Sequence, residues 1–314
     1  MTTKCVGAIA GFVTAVALLV AQPVLASTEV GNQCVGNSSA ENYTIAGTAN
    51  ASGPLTPTVP SAGVITRWTF NVEPIPSGVL TETLKILRPT GVPGQLQVAG
   101  ESAPGAMATG LNSFSTRLPV KAGDLLGSSG IALGKVITVY CETGNPGDRL
   151  GAVKGNPGLG ATFPFEEEVP GVQNPVTAVV EPDVDNDGYG DETQDKCPQS
   201  AAVQSECPKV KVDIGSAVKK KGSVVVSLTT SSEAPVTVAG VVKLGKGRKA
   251  KLSGGKKTVK PGKITRFTLK FPAKLKAALA DLPKGRSLPL KVTASARDVI
   301  GRVTKDQVKV KLRG

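Results

Sequence analysis

Alternation is the dominant pattern along this chain. From Thr66 onward, the run Thr66-Arg67-Trp68-Thr69-Phe70-Asn71-Val72 places polar and apolar residues at successive positions, the period of a strand with one buried face. Thr83–Arg88 reads as another half-buried strand. Val210-Lys211-Val212-Asp213-Ile214 and Val308-Lys309-Val310-Lys311-Leu312 alternate cleanly, one face apolar and one charged. In the first half this grammar predicts strands at Tyr43–Ala46, Val64–Val72, Thr83–Leu87, Gln95–Val98, Ser113–Leu118, Val136–Cys141 and Val176–Glu181. In the second it predicts Val210–Ile214, Ser223–Thr229, Val236–Leu244, Lys257–Val259, Ile264–Phe271, Leu288–Ala296 and Val303–Leu312, with one short helix at Ala273–Leu282. Turn signals such as Pro76-Ser77-Gly78 and Lys121-Ala122-Gly123-Asp124 recur at the spacing of a sandwich.

The expected fold is therefore all-β: two β-sandwich domains, jelly-roll-like over 27–182 and immunoglobulin-like over 208–314, joined by a loop over 183–207. A disordered Gly/Pro-rich stalk is the competing reading of the first half. The stretch from Gly144 to Gly171 is expected to be a long surface loop. Within it, Glu166-Glu167-Glu168 is read as a solvated charge run, because adjacent carboxylates do not converge on an ion without a turn between them.

Composition adds a compartment. Lys4, the largely apolar run Val6–Ala21 and the small residues of Pro23-Val24-Leu25-Ala26 form a signal-peptide pattern over 1–26, with cleavage after Ala26. A transmembrane anchor is the rival reading, but Gly11 and Thr14 interrupt a short apolar run and no stop-transfer charges follow. The mature chain is expected to be secreted, extracellular or at the cell surface, without a membrane span. Removing the signal takes Cys5 and leaves four cysteines, an even number that suits disulfides in an oxidising compartment. Pairing Cys34 with Cys141 and Cys197 with Cys207 keeps each bond inside one expected unit. Zinc is the alternative for any cysteine set, but the chain has no histidine and no Cys-x-x-Cys pair.

Charge is divided unevenly. Ser27–Cys207 holds 9 Lys+Arg against 19 Asp+Glu, a net of −10, whereas Pro208–Gly314 holds 27 against 5, a net of +22.

The segment with distinct chemistry is Asp183-Val184-Asp185-Asn186-Asp187-Gly188-Tyr189-Gly190-Asp191-Glu192-Thr193-Gln194-Asp195. Counted from Asp183, carboxylates fall at positions 1, 3, 5 and 9 and glycine at 6, the order a chain needs to wrap a hard cation. Asp183, Asp185 and Asp187 are the firm candidate ligands. Tyr189 is expected to offer its backbone carbonyl and Asp191 to act through water. An oxygen-only shell with this many carboxylates favours Ca²⁺ over Mg²⁺. Two carboxylates about 5 Å apart repel by roughly 3 kcal/mol at an effective dielectric near 20, so an empty loop is strained open. The bland reading is an acidic, hydrated linker.

Asp183, Asp185, Asp187, Gly188, Asp191, Asp195, Cys197 and Pro198 resemble the thrombospondin type 3 repeat over about 16 residues. The resemblance implies a Ca²⁺ site built without flanking helices, with the following cysteine in a disulfide. One departure stands out: the family closes with aspartate at position 12, where this chain has Gln194, and Asp195 follows at 13, so the resemblance implies that either Gln194, through a carbonyl, or Asp195, with one extra residue in the turn, closes the set. The order of a β-rich domain, one such loop and a Lys-rich Ig-like domain is also similar to a group of secreted bacterial modular proteins. That likeness implies an extracellular place and supplies no reaction.

Enzymatic readings fare poorly. Without histidine, Ser-His-Asp and Cys-His arrangements are impossible. An extracellular hydrolase using paired carboxylates is the remaining catalytic alternative. Gly240–Gly247 mimics a phosphate loop but lacks the Ser/Thr after Lys246 and the strand–loop–helix setting. Trp68 is the only tryptophan, and its place in an alternating strand assigns it to the core rather than to a sugar platform. The expected function is that of a non-catalytic, calcium-binding structural or surface-interaction protein whose Ca²⁺ stiffens the linker. The alternative is binding of cell-wall or extracellular polyanions, or carbohydrate, through Lys219–Lys221 and Lys243–Lys251 of the basic half, with nucleic acid a less favoured partner. The competing account of that charge is solubility and attraction to the acidic half. Oligomeric state is left open.

Overall fold

The computed structural model describes residues 26–74, 80–245 and 247–313. The signal-peptide reading falls outside these residues except at Ala26, as does the turn at 76–78.

The architecture is all-β, and every ladder between named strands is antiparallel. In the first half, a four-stranded sheet runs in the order Thr28–Gly31, Val176–Glu181, Gly63–Val72, Gly110–Val120. A larger sheet faces it, with the path Thr162–Pro164, Gln95–Glu101, Leu80–Pro89, Leu125–Ala132, Tyr43–Ala49, Arg149–Lys154, Glu167–Pro170. Alternation explains the packing. Ile65, Trp68, Phe70 and Val72 meet Leu80, Leu84 and Ile86 in one buried cluster, and Arg67 stays exposed. Trp68 is a core residue, 1 % exposed, with its ring 4.7 Å from that of Phe114. Cys34 is bonded to Cys141.

In the second half the sheets are Val212–Lys220, Ser223–Thr230, Thr265–Lys270 and Arg248–Val259, Ala234–Gly245, Ser287–Arg297, Val303–Arg313. Seven strands in two sheets around one core match the immunoglobulin-like expectation. The core holds Val226, Leu228, Val236, Val238, Phe267, Leu269, Leu290 and Val292, and the helix Ala273–Ala280 seals one end with Leu275 and Leu279. The fourth strand pairs with the third rather than the fifth.

Three expectations change. The stretch 144–171 is not one loop: it forms the strands Arg149–Lys154, Thr162–Pro164 and Glu167–Pro170, because Leu150, Ala152, Val153 and Phe163 between its turns are buried. Glu167 and Glu168 pair across the ladder with Ala152 and Gly151. Leu125–Ala132 is a central strand despite its glycines and serines. Those residues are small because neighbours come close: a Cβ on Gly130 would lie 2.3 Å from the Ile137 carbonyl. The strand predicted at Lys257–Val259 begins at Arg248, nine residues earlier, its lysines alternating with buried Ala250 and Leu252.

Candidate metal centre

Val176–Glu181 ends at Pro182, and the acidic loop begins where the strand stops. Asp183 builds the turn: its two carboxylate oxygens accept the N–H groups of Asp187 and Gly188, each at 3.0 Å. Two residues adopt left-handed backbone, Asn186 (φ 59°) and Gly188 (φ 83°). Glycine meets no steric cost there, and asparagine tolerates it better than most side chains. The turn gathers Asp183, Asp185 and Asp187, each offering a carboxylate oxygen within 4.8 Å of the others.

Their hydrogen bonding differs. Asp187 accepts the Tyr189 N–H at 2.9 Å and the Gln204 side-chain amide at 2.8 Å. Both oxygens of Asp185 are buried with no hydrogen-bond partner, and so is Oδ2 of Asp195. The other oxygen of Asp195 accepts the Cys197 N–H at 2.7 Å. Burial, then the charge of Asp187, raises the Asp185 carboxyl; the Ser200 amide offsets part of this, although its N–H is bonded to the Cys197 carbonyl at 3.0 Å. Asp191 accepts the Val184 N–H at 3.1 Å, yet burial and the charges of Asp183, Asp185 and Asp195 push it up to about 6. Buried, like-charged, unpartnered carboxylates are costly unless a cation compensates them. An all-oxygen donor set fits a hard divalent ion rather than a soft one.

Gln194 and Asp195, the two candidates for the closing position, lie outside the three-aspartate cluster and differ in their bonding. Gln194 is committed elsewhere: its side-chain amide donates to the Thr116 carbonyl at 2.8 Å and its side-chain carbonyl accepts the Gly190 N–H at 3.3 Å. Asp195 is 3 % exposed and carries the unpartnered oxygen. The backbone tightens between them, both N–H groups bonding to the Gly190 carbonyl. The Tyr189 ring packs under Arg117, 4.1 Å from its guanidinium carbon.

Several supporting residues carry no sequence signal of their own. Glu181 reaches into the loop and accepts from the Glu192 N–H and from the N–H and hydroxyl of Thr193. Gly190 allows that approach, since a Cβ there would lie 2.5 Å from Glu181 Oε2 and from the Thr66 methyl. Gln204 sits inside the loop closed by the Cys197–Cys207 disulfide and holds Asp187. Arg302 then donates to the Cys207 carbonyl at 2.7 Å, continuing the connection into the second sandwich. Only the glutamate ending a valine-rich strand, just before a proline, was a visible hint.

No family model matches the chain, and no curated protein matches it. Among solved structures it is similar to the sporulation control protein Spo0M from Bacillus subtilis, at 13% identity over 35% of this chain and 51% of that one, with a TM-score of 0.20. It is also similar to a GH2 beta-galacturonidase from Eisenbergiella tayi, at 10% identity over 88% of this chain and 43% of that one, with a TM-score of 0.18. A Ruminococcus gnavus beta-glucuronidase matches at 11% identity over 91% and 44%, with a TM-score of 0.20. The chain spans about half or less of the length of these structures.

Proposed function

We propose that this is a secreted, non-catalytic, calcium-binding protein of structural or surface-interaction type, in which Ca²⁺ fixes the linker between two β-sandwiches. The observation that carries the reading is a set of buried, unpartnered carboxylate oxygens: both oxygens of Asp185, which is grouped with Asp183 and Asp187, and Oδ2 of Asp195 at the end of the same loop. Asp183, Asp185, Asp187 and Asp195 would hold the ion, with Asp191 and the Tyr189 carbonyl completing the set. The resemblance of Asp183–Pro198 to the thrombospondin type 3 repeat supports Ca²⁺ over other divalent ions. The bound ion supplies positive charge that offsets carboxylate repulsion, so binding orders the loop. Two disulfides suit an oxidising compartment, and no helix among the described residues is long and apolar enough to cross a membrane.

Calorimetric titration of the chain lacking residues 1–26 with Ca²⁺ tests the reading. The expected midpoint is about 0.1–1 mM, the range of extracellular modules. At ten times the dissociation constant, linkage gives about 1.4 kcal/mol of added stability. Absence of heat, together with a melting temperature indifferent to chelator, would remove the metal from the account.

A further inference from the structure

The second sandwich exposes a sheet face that is cationic on every strand. In the sheet Arg248–Val259, Ala234–Gly245, Ser287–Arg297, Val303–Arg313, the inward positions form the core, and the outward ones carry lysine. Lys243 lies opposite Lys249. Val241 lies opposite both Lys251 and Lys291, and Lys291 opposite Lys309. Lys311 follows one rung on, opposite Pro289. Two adjacent rungs thus bring a lysine to each of four neighbouring strands, and all six are exposed.

Among the described residues none of these six takes part in an ion pair. The acids of this half lie elsewhere. Asp306 turns away to accept the Ile214 N–H, Asp298 is bound by Arg302, and Asp213, Glu233 and Asp281 lie off this sheet. Like charges directly opposite one another weaken a ladder. Lysines on the two outer strands are accounted for by protection of sheet edges. Lys291 is not, because it is paired on both sides, with Val241 and Lys309, and Lys243 lies on the other central strand, one residue past its last pair with that neighbour.

We propose that this face binds a linear carboxylated polysaccharide laid across the strands. Neighbouring strands are about 4.8 Å apart, so the lysines of the two rungs form a short cationic track across the sheet that an extended chain of carboxylates can follow. The outward neighbours Ala239, Val241, Thr293 and Gln307 keep the face low and carry no aromatic ring on which a base could stack. The site is separate from the acidic loop, and its test runs in chelator.

The probe is sodium polygalacturonate, titrated into the full chain in Ca²⁺-free buffer. Binding is expected to weaken at least about tenfold between 50 and 200 mM salt, as counterion release requires. K243E/K291E is expected to lose at least about tenfold in affinity, while K220E/K221E, equal in charge change but at the end of the other sheet and in the turn that follows, loses under about threefold. K243Q/K291Q, checked for an unchanged melting temperature, repeats the loss without charge reversal. No binding, equal losses in both charge-reversed variants, or equal binding of the methyl-esterified polymer would overturn the proposal. Tighter binding of polyphosphate or DNA would overturn the ligand class. Salt-sensitive self-association in sedimentation would assign the face to a second copy's acidic half instead.

Discussion

Glu181 and Thr193 are joined at two points: the Thr193 N–H donates to Glu181 Oε2 at 2.9 Å and its hydroxyl to Oε1 at 2.7 Å. The strand that ends the first sandwich therefore grips the far half of the acidic loop through a buried carboxylate. Burial opposes that charge, but bonds from Thr193, Thr66 and Glu192 outweigh it and hold the carboxyl below the ordinary glutamate range. Glu181→Gln would set amide hydrogens against backbone donors. The expected cost is about 1–3 kcal/mol of stability, read by denaturant unfolding with and without Ca²⁺. Because protein donors occupy both oxygens of Glu181, the loss should be similar in both conditions; a loss confined to the Ca²⁺-loaded protein would assign Glu181 to the ion instead.

Asp185 carries the opposite sign. With both oxygens buried and unpartnered, it destabilises the ion-free protein. Asp185→Asn should raise the melting temperature in chelator and abolish the rise on adding Ca²⁺. A variant that merely damaged the fold would lower stability in both conditions. Thermal melts of the two proteins in chelator and in saturating Ca²⁺ distinguish the outcomes.

Strand period made most of the fold legible, because Trp68, Phe70 and Val72 are buried between half-buried Thr69 and Asn71, and Val303–Lys311 alternates exposed with half-buried positions. It failed where backbone proximity, not apolar content, decides the structure. Leu125–Ala132 is central with Gly127, Ser128, Ser129 and Gly130 in its middle, and a Cβ on Gly130 would meet both Ile137 and Glu82. The gathering of Asp183, Asp185 and Asp187 into one cluster was readable, since the turn that brings them together is local. The parts of the site that come from distant sequence were not: Thr116 and Gln204 hold Gln194 and Asp187 across 78 and 17 residues.

The Gln204–Asp187 bond ties the disulfide loop to the acidic cluster. Opening Cys197–Cys207 frees a short loop whose closure is worth on the order of 3 kcal/mol in the chain-entropy model. It also releases the residue that orients Asp187. Cys197→Ser/Cys207→Ser should therefore lower the melting temperature and weaken Ca²⁺ binding, and Gln204→Ala should weaken binding with a smaller loss of stability. Calorimetric titration of both variants checks this. Unchanged affinity in Gln204→Ala would show that the amide contact is incidental to the ion.

Two buried carboxyls give the first sandwich opposite responses to pH. Burial opposes the charge on Asp148, but bonds from Ser52, Thr143 and Ala51 outweigh it and hold its carboxyl far below the usual range. Its contribution is complete above the unfolded aspartate value of about 3.9 and is lost as pH falls through the lower folded value. Glu82 is fully buried between the sheets, both oxygens lack a partner, and burial raises its carboxyl well above the usual range. Its neutral form suits the core, so its contribution is complete below about 4.3 and declines as pH rises toward the folded value. Glu82→Gln removes the group that must stay protonated. Across pH 5–7 the variant should gain on the parent protein by up to about 1.4 kcal/mol per pH unit, while Asp148→Asn costs stability throughout. Urea unfolding of the three proteins across that range reads both effects. Parallel pH profiles for Glu82→Gln and the parent would mean that Glu82 ionises in the fold with a partner or water beside it.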